Sequence, residues 1–334
     1  MLAELPPLAH VDAKSIDEAV YLLAKYRDRA SIIAGGTDLL GLMKDRITGP
    51  KMPQPEVLVN IKTIPELMRI TTQPNGDLRI GASVILQDLE QCPTVVASFP
   101  ILAEAAASVA TTQIRAMGTV GGNLCQRPWC WYFRHPQFVC YKRGGTQCFA
   151  IPGENSTYFS VLARGICVMS HPSDLAPALM ALSSRIGVAG PSGRREIPIA
   201  EFFQGPRSVS ETKLEPGEII TWVDVPAPGP SLRTAFIKHR VRKTWDFALS
   251  EVAVALTMSD GICADARIIL GGVAPYPYRV VDAERVLNGR APGEPLIIEA
   301  ADIAVKRAKG LTMNSYKIGL TKALVRRALS TALQ

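Results

Sequence analysis

Four cysteines fall within 24 residues, in the run LCQRPWCWYFRHPQFVCYKRGGTQC: Cys125, Cys130, Cys140 and Cys148. Cys167 follows nearby, while Cys92 and Cys263 stand alone and read as buried structural thiols. Thiols bunched this way constrain the backbone, because whatever they hold must be wrapped by one irregular loop. Pro128, Pro136, Gly144-Gly145 and Pro152-Gly153 break any regular element through the segment. A disulfide framework goes with export, yet MLAELPPLAHVDAKS shows no basic region followed by an apolar core. The expected compartment is therefore the cytoplasm. Structural zinc favours cysteine pairs roughly two to four residues apart; here the gaps are four, nine, seven and eighteen residues. Four thiolates on an iron–sulfur cluster tolerate irregular spacing. Five thiols compete for four positions, and spacing alone does not choose among them. Trp129, Trp131, Tyr132, Phe133 and Phe138 would shield a cluster from water or form a satellite core.

Two glycine-rich runs flank this picture. AGGTD, from Ala34 to Asp38, follows a strand pattern and precedes a helical turn beginning at Leu39. RAMGTVGGN, from Arg115 to Asn123, leads into the cysteines. Neither is a G-x-G-x-x-G or a P-loop with its lysine. Gly35 and Gly36, and again Gly118, Gly121 and Gly122, can aim backbone N–H groups at an anion. One such run is most simply a tight turn; two favour a ligand with two phosphates.

A chain of 334 residues with 47% hydrophobic and 20% charged content has material for two or three globular domains. No apolar run reaches the roughly 20 residues that span a bilayer, so no membrane insertion is expected. The net charge of +7 is scattered, and no nucleic-acid recognition motif accompanies it. Ser15 to Glu18 reads as a capping box opening a first helix, and the β/α piece it belongs to ends near residue 60. Pro74-Asn75-Gly76-Asp77 predicts a hairpin between 68–72 and 78–82. A helix is expected over about 100–110 and another over 175–182, with a second hairpin over 185–198. Pro226-Ala227-Pro228-Gly229-Pro230 is the best linker. Beyond it, 234–239, 250–258 and 262–270 read as an antiparallel meander, followed by helices over about 297–309 and 315–333.

AGGTDLL, IRAMGTVGGNLCQRPWCWYF, HPSDLAPAL (His171 to Leu179) and GGVAPYPYR (Gly271 to Arg279) together resemble the FAD-binding subunit of the molybdenum hydroxylases. That family includes xanthine dehydrogenase, carbon monoxide dehydrogenase and aldehyde oxidoreductases. The resemblance covers essentially the whole chain. It implies an α+β chain: a two-part FAD-binding domain of the vanillyl-alcohol-oxidase (PCMH) type over 1–60 and 61–225, then a small α/β C-terminal domain over 231–334. It further implies that Ala34, Gly35, Gly36, Thr37, Asp38 and Leu39 meet the FAD pyrophosphate. Gly118, Thr119, Gly121, Gly122 and Asn123 would form a second wall. Asp174 and Leu175 would reach the cofactor from the HPSD turn, and Lys238 and Phe247 would lie nearer the flavin ring.

The cysteine segment, about 124–168, resembles an insertion in two branches, the periplasmic aldehyde oxidoreductases and the 4-hydroxybenzoyl-CoA reductases, whose FAD subunit carries an extra [4Fe–4S] cluster. Aligned on RPWC, VC, TQC and the distance to Asp174, the implied ligands are Cys130, Cys140, Cys148 and Cys167, with Cys125 spare. The implied whole is a heterotrimer with a molybdenum-cofactor large subunit and a [2Fe–2S] small subunit. Electrons would pass through FAD to an external acceptor, or run the other way in a reductase. Co-export with a signal-bearing partner would make the location periplasmic. The competing reading of another class is a zinc-stabilised binding module with no redox role. Among single residues, His171 reads as a satisfied turn histidine and Glu251 as a surface carboxylate, although each could approach the flavin.

Overall fold

The computed structural model describes residues 5–334, which form three sheets. The first is parallel, with β1 (Ala9–Asp12), β2 (Ala30–Ile33) and β3 (Val57–Asn60) in the order β1-β3-β2. Helix Ile16–Tyr26 links β1 to β2. Its start follows from sequence: Ser15 Oγ accepts the Glu18 N–H at 3.1 Å, and Glu18 returns by accepting the Lys14 N–H at 2.8 Å. Ala19 and Leu23 on this helix pack against Val57 and Val59.

The second sheet is antiparallel, built from β4 (Ile70–Thr72), β5 (Leu78–Gly81), β6 (Arg185–Gly190), β7 (Gly193–Pro198) and β8 (Ile219–Val225). Its order is β4-β5-β8-β6-β7. The sequence reading assigns no element to 219–225, yet β8 is the central strand. Met68, expected to begin the first hairpin, instead ends the 3-10 turn Pro65–Met68, and the strand begins at Ile70. Helices Pro100–Ser108 and Leu175–Ala181 cover one face.

The third sheet runs β12-β11-β10-β9, with β9 (Leu232–His239), β10 (Ser250–Ser259), β11 (Ile262–Gly271) and β12 (Tyr278–Arg279). Asp260 and Gly261 both adopt left-handed φ, 48° and 80°, as a tight two-residue hairpin requires. Helices Val281–Leu287, Glu294–Val305 and Tyr316–Leu333 pack on this sheet. The first of these is absent from the sequence reading; the second starts three residues earlier than expected, at the Gly293-Glu294-Pro295 entry. Ala253, Ala255 and Ile269 of the third sheet belong to the same core as Leu175, Leu179 and Val223. Helix Leu175–Ala181 is therefore clasped between the second and third sheets, which fixes Asp174 at its N-terminus. Among the described residues, no helix is long and apolar enough to cross a membrane.

Candidate cofactor cavity and cysteine centre

One cavity of about 390 Å³ gathers residues from distant parts of the chain. Ala34 to Leu39, Gly118, Thr119, Gly121, Gly122, Asn123, Asp174 and Phe247 all line it. Chain geometry explains the convergence. β2 ends at Ile33, and Gly36 turns the chain at φ 69° into helix Leu39–Lys44. A Cβ on Gly35 would lie 2.3 Å from Met117 O and 2.8 Å from Gly118 Cα, so the two glycine runs touch backbone to backbone.

The two runs differ in what they offer. No acceptor among the described residues meets the N–H groups of Gly35, Gly36, Thr37 or Asp38. These four successive donors form an anion nest. In the second run the donors are consumed internally. Val120 N–H donates to Val84 O at 2.9 Å, Gly121 to Ala82 O at 2.8 Å, Gly122 to Thr119 Oγ1 at 3.2 Å and Asn123 to Thr119 O at 2.8 Å. The expectation of two equivalent anion sites is thereby corrected: the first run offers donors and the second supplies a close-packed wall.

Three further expectations change. Asp38 lines the cavity, but its carboxylate is committed elsewhere, accepting the Arg127 N–H at 2.9 Å and pairing with Arg134. The Arg134 guanidinium lies 3.9 Å over the Trp129 ring. Asp38 thus pins the cysteine segment to the nest. Leu175 is fully buried in the core and does not line the cavity, because its helix presents that face to the second sheet. Lys238 stands one layer behind, donating to Asp174 Oδ2 at 2.7 Å and to Ser108 O at 3.0 Å.

Behind Asp174 lies a buried group of ionisable side chains. Glu251 is 1% exposed rather than on the surface, and its carboxyl contacts that of Asp174. Burial, and then the negative charge of Asp174, push the Glu251 carboxyl well above the usual carboxylate range. His171 is buried and only half satisfied: Nδ1 accepts the Ser173 N–H at 3.3 Å, while Nε2 has no partner. Burial, aided by the Lys142 charge, brings its pKa down to about 3, so the ring is neutral.

The cysteines divide cleanly in space. Cys130, Cys140, Cys148 and Cys167 line one small apolar cavity with Phe133, Phe149 and Phe159. Cys125 instead lines the large cavity. No disulfide links any of the seven. No three His, Cys, Asp or Glu side chains among the described residues are placed to hold a single metal ion. Backbone N–H groups of Phe133 and Tyr132 face the Cys130 sulfur, and those of Lys142 and Arg143 face Cys140. Val168, Ala150 and Ile151 face Cys148, and Met169 faces Cys167. Burial pushes the Cys130 thiol up to about 12. A hydrogen bond from Cys167 draws Cys148 down to about 6 and holds Cys167 well above the usual thiol range. The segment is held by buried Arg143, whose Nε donates to Thr48 O at 2.6 Å and whose Nη1 donates to His135 O at 2.7 Å and Phe138 O at 2.8 Å. Glu211 forms ion pairs with Arg127 at 2.8 Å and Lys142 at 3.2 Å.

Residues 7–228 match the model of the FAD binding domain in molybdopterin dehydrogenase, and residues 235–332 match that of the CO dehydrogenase flavoprotein C-terminal domain. The chain belongs to the FAD-binding subunits of the molybdenum hydroxylases. It is 34% identical to the FAD-binding subunit of an aldehyde oxidoreductase from Escherichia coli K12, over 91% of both chains. It is 32% identical to the carbon monoxide dehydrogenase medium chain of Hydrogenophaga pseudoflava, over 98% of both. A solved carbon monoxide dehydrogenase from that organism superposes with a TM-score of 0.79 at 30% identity, covering 99% of this chain and 98% of the other. Quinoline 2-oxidoreductase from Pseudomonas putida 86 gives 0.76 at 26% identity, with 98% of each chain covered. The subunit is thus part of an oxidoreductase, it has the α+β fold the motifs imply, and the zinc-stabilised module is set aside.

Several lining residues were not assigned to the cavity from the sequence. Trp129 borders the large cavity and stands next to Cys130, with its ring 4.8 Å from Phe247. Trp245 and Asp246 also line the cavity. The sequence pointed to Trp129 only as an aromatic of the cysteine segment, and its place in the large cavity comes from the fold.

Proposed function

We propose that this chain holds FAD in the large cavity and one [4Fe–4S] cluster in the cysteine segment. It would serve as the electron-transfer subunit of an aldehyde oxidoreductase or xanthine dehydrogenase-like complex. The observation that carries the FAD assignment is the run of four unpaired N–H donors from Gly35 to Asp38, opening into a cavity walled by the second glycine run. A pyrophosphate needs such donors, and a family whose model describes FAD binding matches this part of the chain. Bound flavin supplies the step from one-electron carriers to a two-electron acceptor. The chain's own residues then bind and orient it: the nest takes the phosphates, and the glycine wall and Phe247 enclose the rest.

The cluster assignment rests on Cys130, Cys140, Cys148 and Cys167 lining one apolar cavity with N–H groups turned to each sulfur. Cluster thiolates are tuned by such donors and by burial. Four thiols walling one buried site, with no three side chains among the described residues placed to hold a single ion, suit a polynuclear centre. The domain division follows the three sheets, at 1–60, 61–225 and 231–334. Partners would be a molybdenum-cofactor subunit and a [2Fe–2S] subunit, with an external acceptor taking the electrons. The compartment would be the cytoplasm, or the periplasm if a signal-bearing partner carries the assembly out.

Cysteine variants test the assignment. Cys130→Ser should abolish the iron-dependent visible absorption and the reduced-state electron paramagnetic resonance signal, with FAD retained. Cys125→Ser should leave both. Loss of the signal in Cys125→Ser and its survival in Cys167→Ser would reverse the ligand choice.

A further inference from the structure

We propose that Glu251 is a proton-carrying residue that serves the cofactor cavity through Asp174, an inference that rests on the FAD reading above. β10 sets Glu251 opposite Gly271 of β11. A Cβ on Gly271 would lie 2.0 Å from Glu251 Oε1, so the glycine clears the space in which this carboxyl lies buried. The Glu251 carboxyl touches that of Asp174, whose Oδ2 is paired with the Lys238 ammonium at 2.7 Å. Two carboxyls beside one buried ammonium leave one negative charge too many. A pair placed so close in a dry site keeps one proton between its members. Lys238 is paired with Asp174, and burial beside the Asp174 charge favours the protonated form of Glu251, so Glu251 carries the proton.

The surroundings suit transfer rather than storage. A second, small cavity of about 10 Å³ is bordered by Glu251, His171 and Tyr158, and it shares Trp129, Pro172 and Phe247 with the large one. That is room for about one water. Among the described residues His171 Nε2 lacks any partner, while Glu251 Oε2 and Asp174 Oδ1 have no donor beside them other than a proton held between the two carboxyls. Unpaired buried polar atoms are uncommon, and His171 and Glu251 turn theirs toward one small cavity that both border. Asp174 reaches the large cavity, while Glu251 and His171 reach the small one. Tyr158 is occupied by Asp246 at 2.5 Å and stays outside the path.

The step balances. Two-electron reduction of a flavin, with electrons from the partner subunits, takes up at least one proton. The O–H bond of Glu251 breaks as an O–H bond forms on Asp174, which releases that proton into the cavity. Glu251 regains a proton from solvent, and the small cavity leaves room for one relaying water.

The test uses the full chain loaded with FAD. A reduced-minus-oxidised infrared difference spectrum should contain the C=O band of a protonated carboxylic acid, shifted in D₂O and absent from Glu251→Gln. Reduction by dithionite should slow about a hundredfold in Glu251→Gln, the low end for a lost acid–base group, with FAD content unchanged. No such band in the wild-type chain would overturn the inference even if the variant fails to fold. An equal reduction rate in FAD-replete Glu251→Gln would overturn it as well. A chain that takes up no FAD would instead bring down the reading of the cavity, and this inference with it.

Discussion

Gly35 has no room for any side chain. A methyl group there must push apart the backbones of the two glycine runs, which are not flexible side-chain ends. Gly35→Ala should cost about 2 kcal/mol of stability through overpacking and reduce FAD content sharply. Denaturant titration and the flavin absorption of the purified protein read the two effects; full retention of FAD would contradict the placement of the nest. His171 gives a second prediction. Its pKa falls from 6.5 to about 3 on folding, so the unfolded chain binds the extra proton between those values. Stability is complete above pH 6.5 and is lost as pH falls toward 3. At about pH 5 this residue should remove about 2 kcal/mol relative to neutral pH. Urea titrations at both pH values should show a smaller drop in His171→Gln; an equal drop would assign the pH dependence elsewhere. At this scale the sequence is legible where backbone chemistry is special. AGGTD and HPSD are visible because glycine and turn residues carry local conformational meaning. The commitment of Asp38 to Arg134, and the burial of Glu251 over Gly271, depend on contacts between distant segments and leave no local trace.

The cysteine segment is the element that most needs its anchors. Between Cys125 and Val168 the only regular piece is the 3-10 turn Tyr141–Arg143. Side-chain hydrogen bonds from Arg143 replace the missing ladder by satisfying the carbonyls of Thr48, His135 and Phe138. Arg143→Met would leave those buried acceptors unpaired, at about 1–3 kcal/mol each. Amide exchange over residues 135–149 should then quicken by at least about a hundredfold, with β10 unchanged. Protection equal to wild type would show that other contacts hold the loop. The irregularity itself was legible from Pro128, Pro136 and Gly144-Gly145. Spacing alone did not show which thiols converge, since Cys167 joins the other three across 18 intervening residues; only the resemblance named these four. β8 was also missed: IITWVDV lies between LEPGE and the proline-rich linker, and its role as central strand comes from pairing with β5 and β6 far away in sequence.

At the scale of the whole molecule, helix Leu175–Ala181 and the last helix tie the parts together. The first shares one core with the second and third sheets. The second brings buried Lys317 to three carbonyls, Thr157 O at 2.9 Å, Phe159 O at 3.0 Å and Gly272 O at 2.7 Å, which joins the C-terminal part to the end of the cysteine segment. Burial draws that ammonium down to about 7, while the three carbonyls favour its charged form. The large cavity and the cysteine centre are thus held in one frame, separated by the Pro128–Cys130 stretch that borders both. That arrangement is what the proposal of two redox groups on one chain requires. Its most direct test is the content of FAD, iron and acid-labile sulfide per chain in protein purified without oxygen. About one FAD, about four irons and matching sulfide are expected for one four-thiolate cluster beside one flavin. FAD without iron would remove the cluster from the cysteine segment, and a chain holding zinc but no flavin would contradict the reading of both sites.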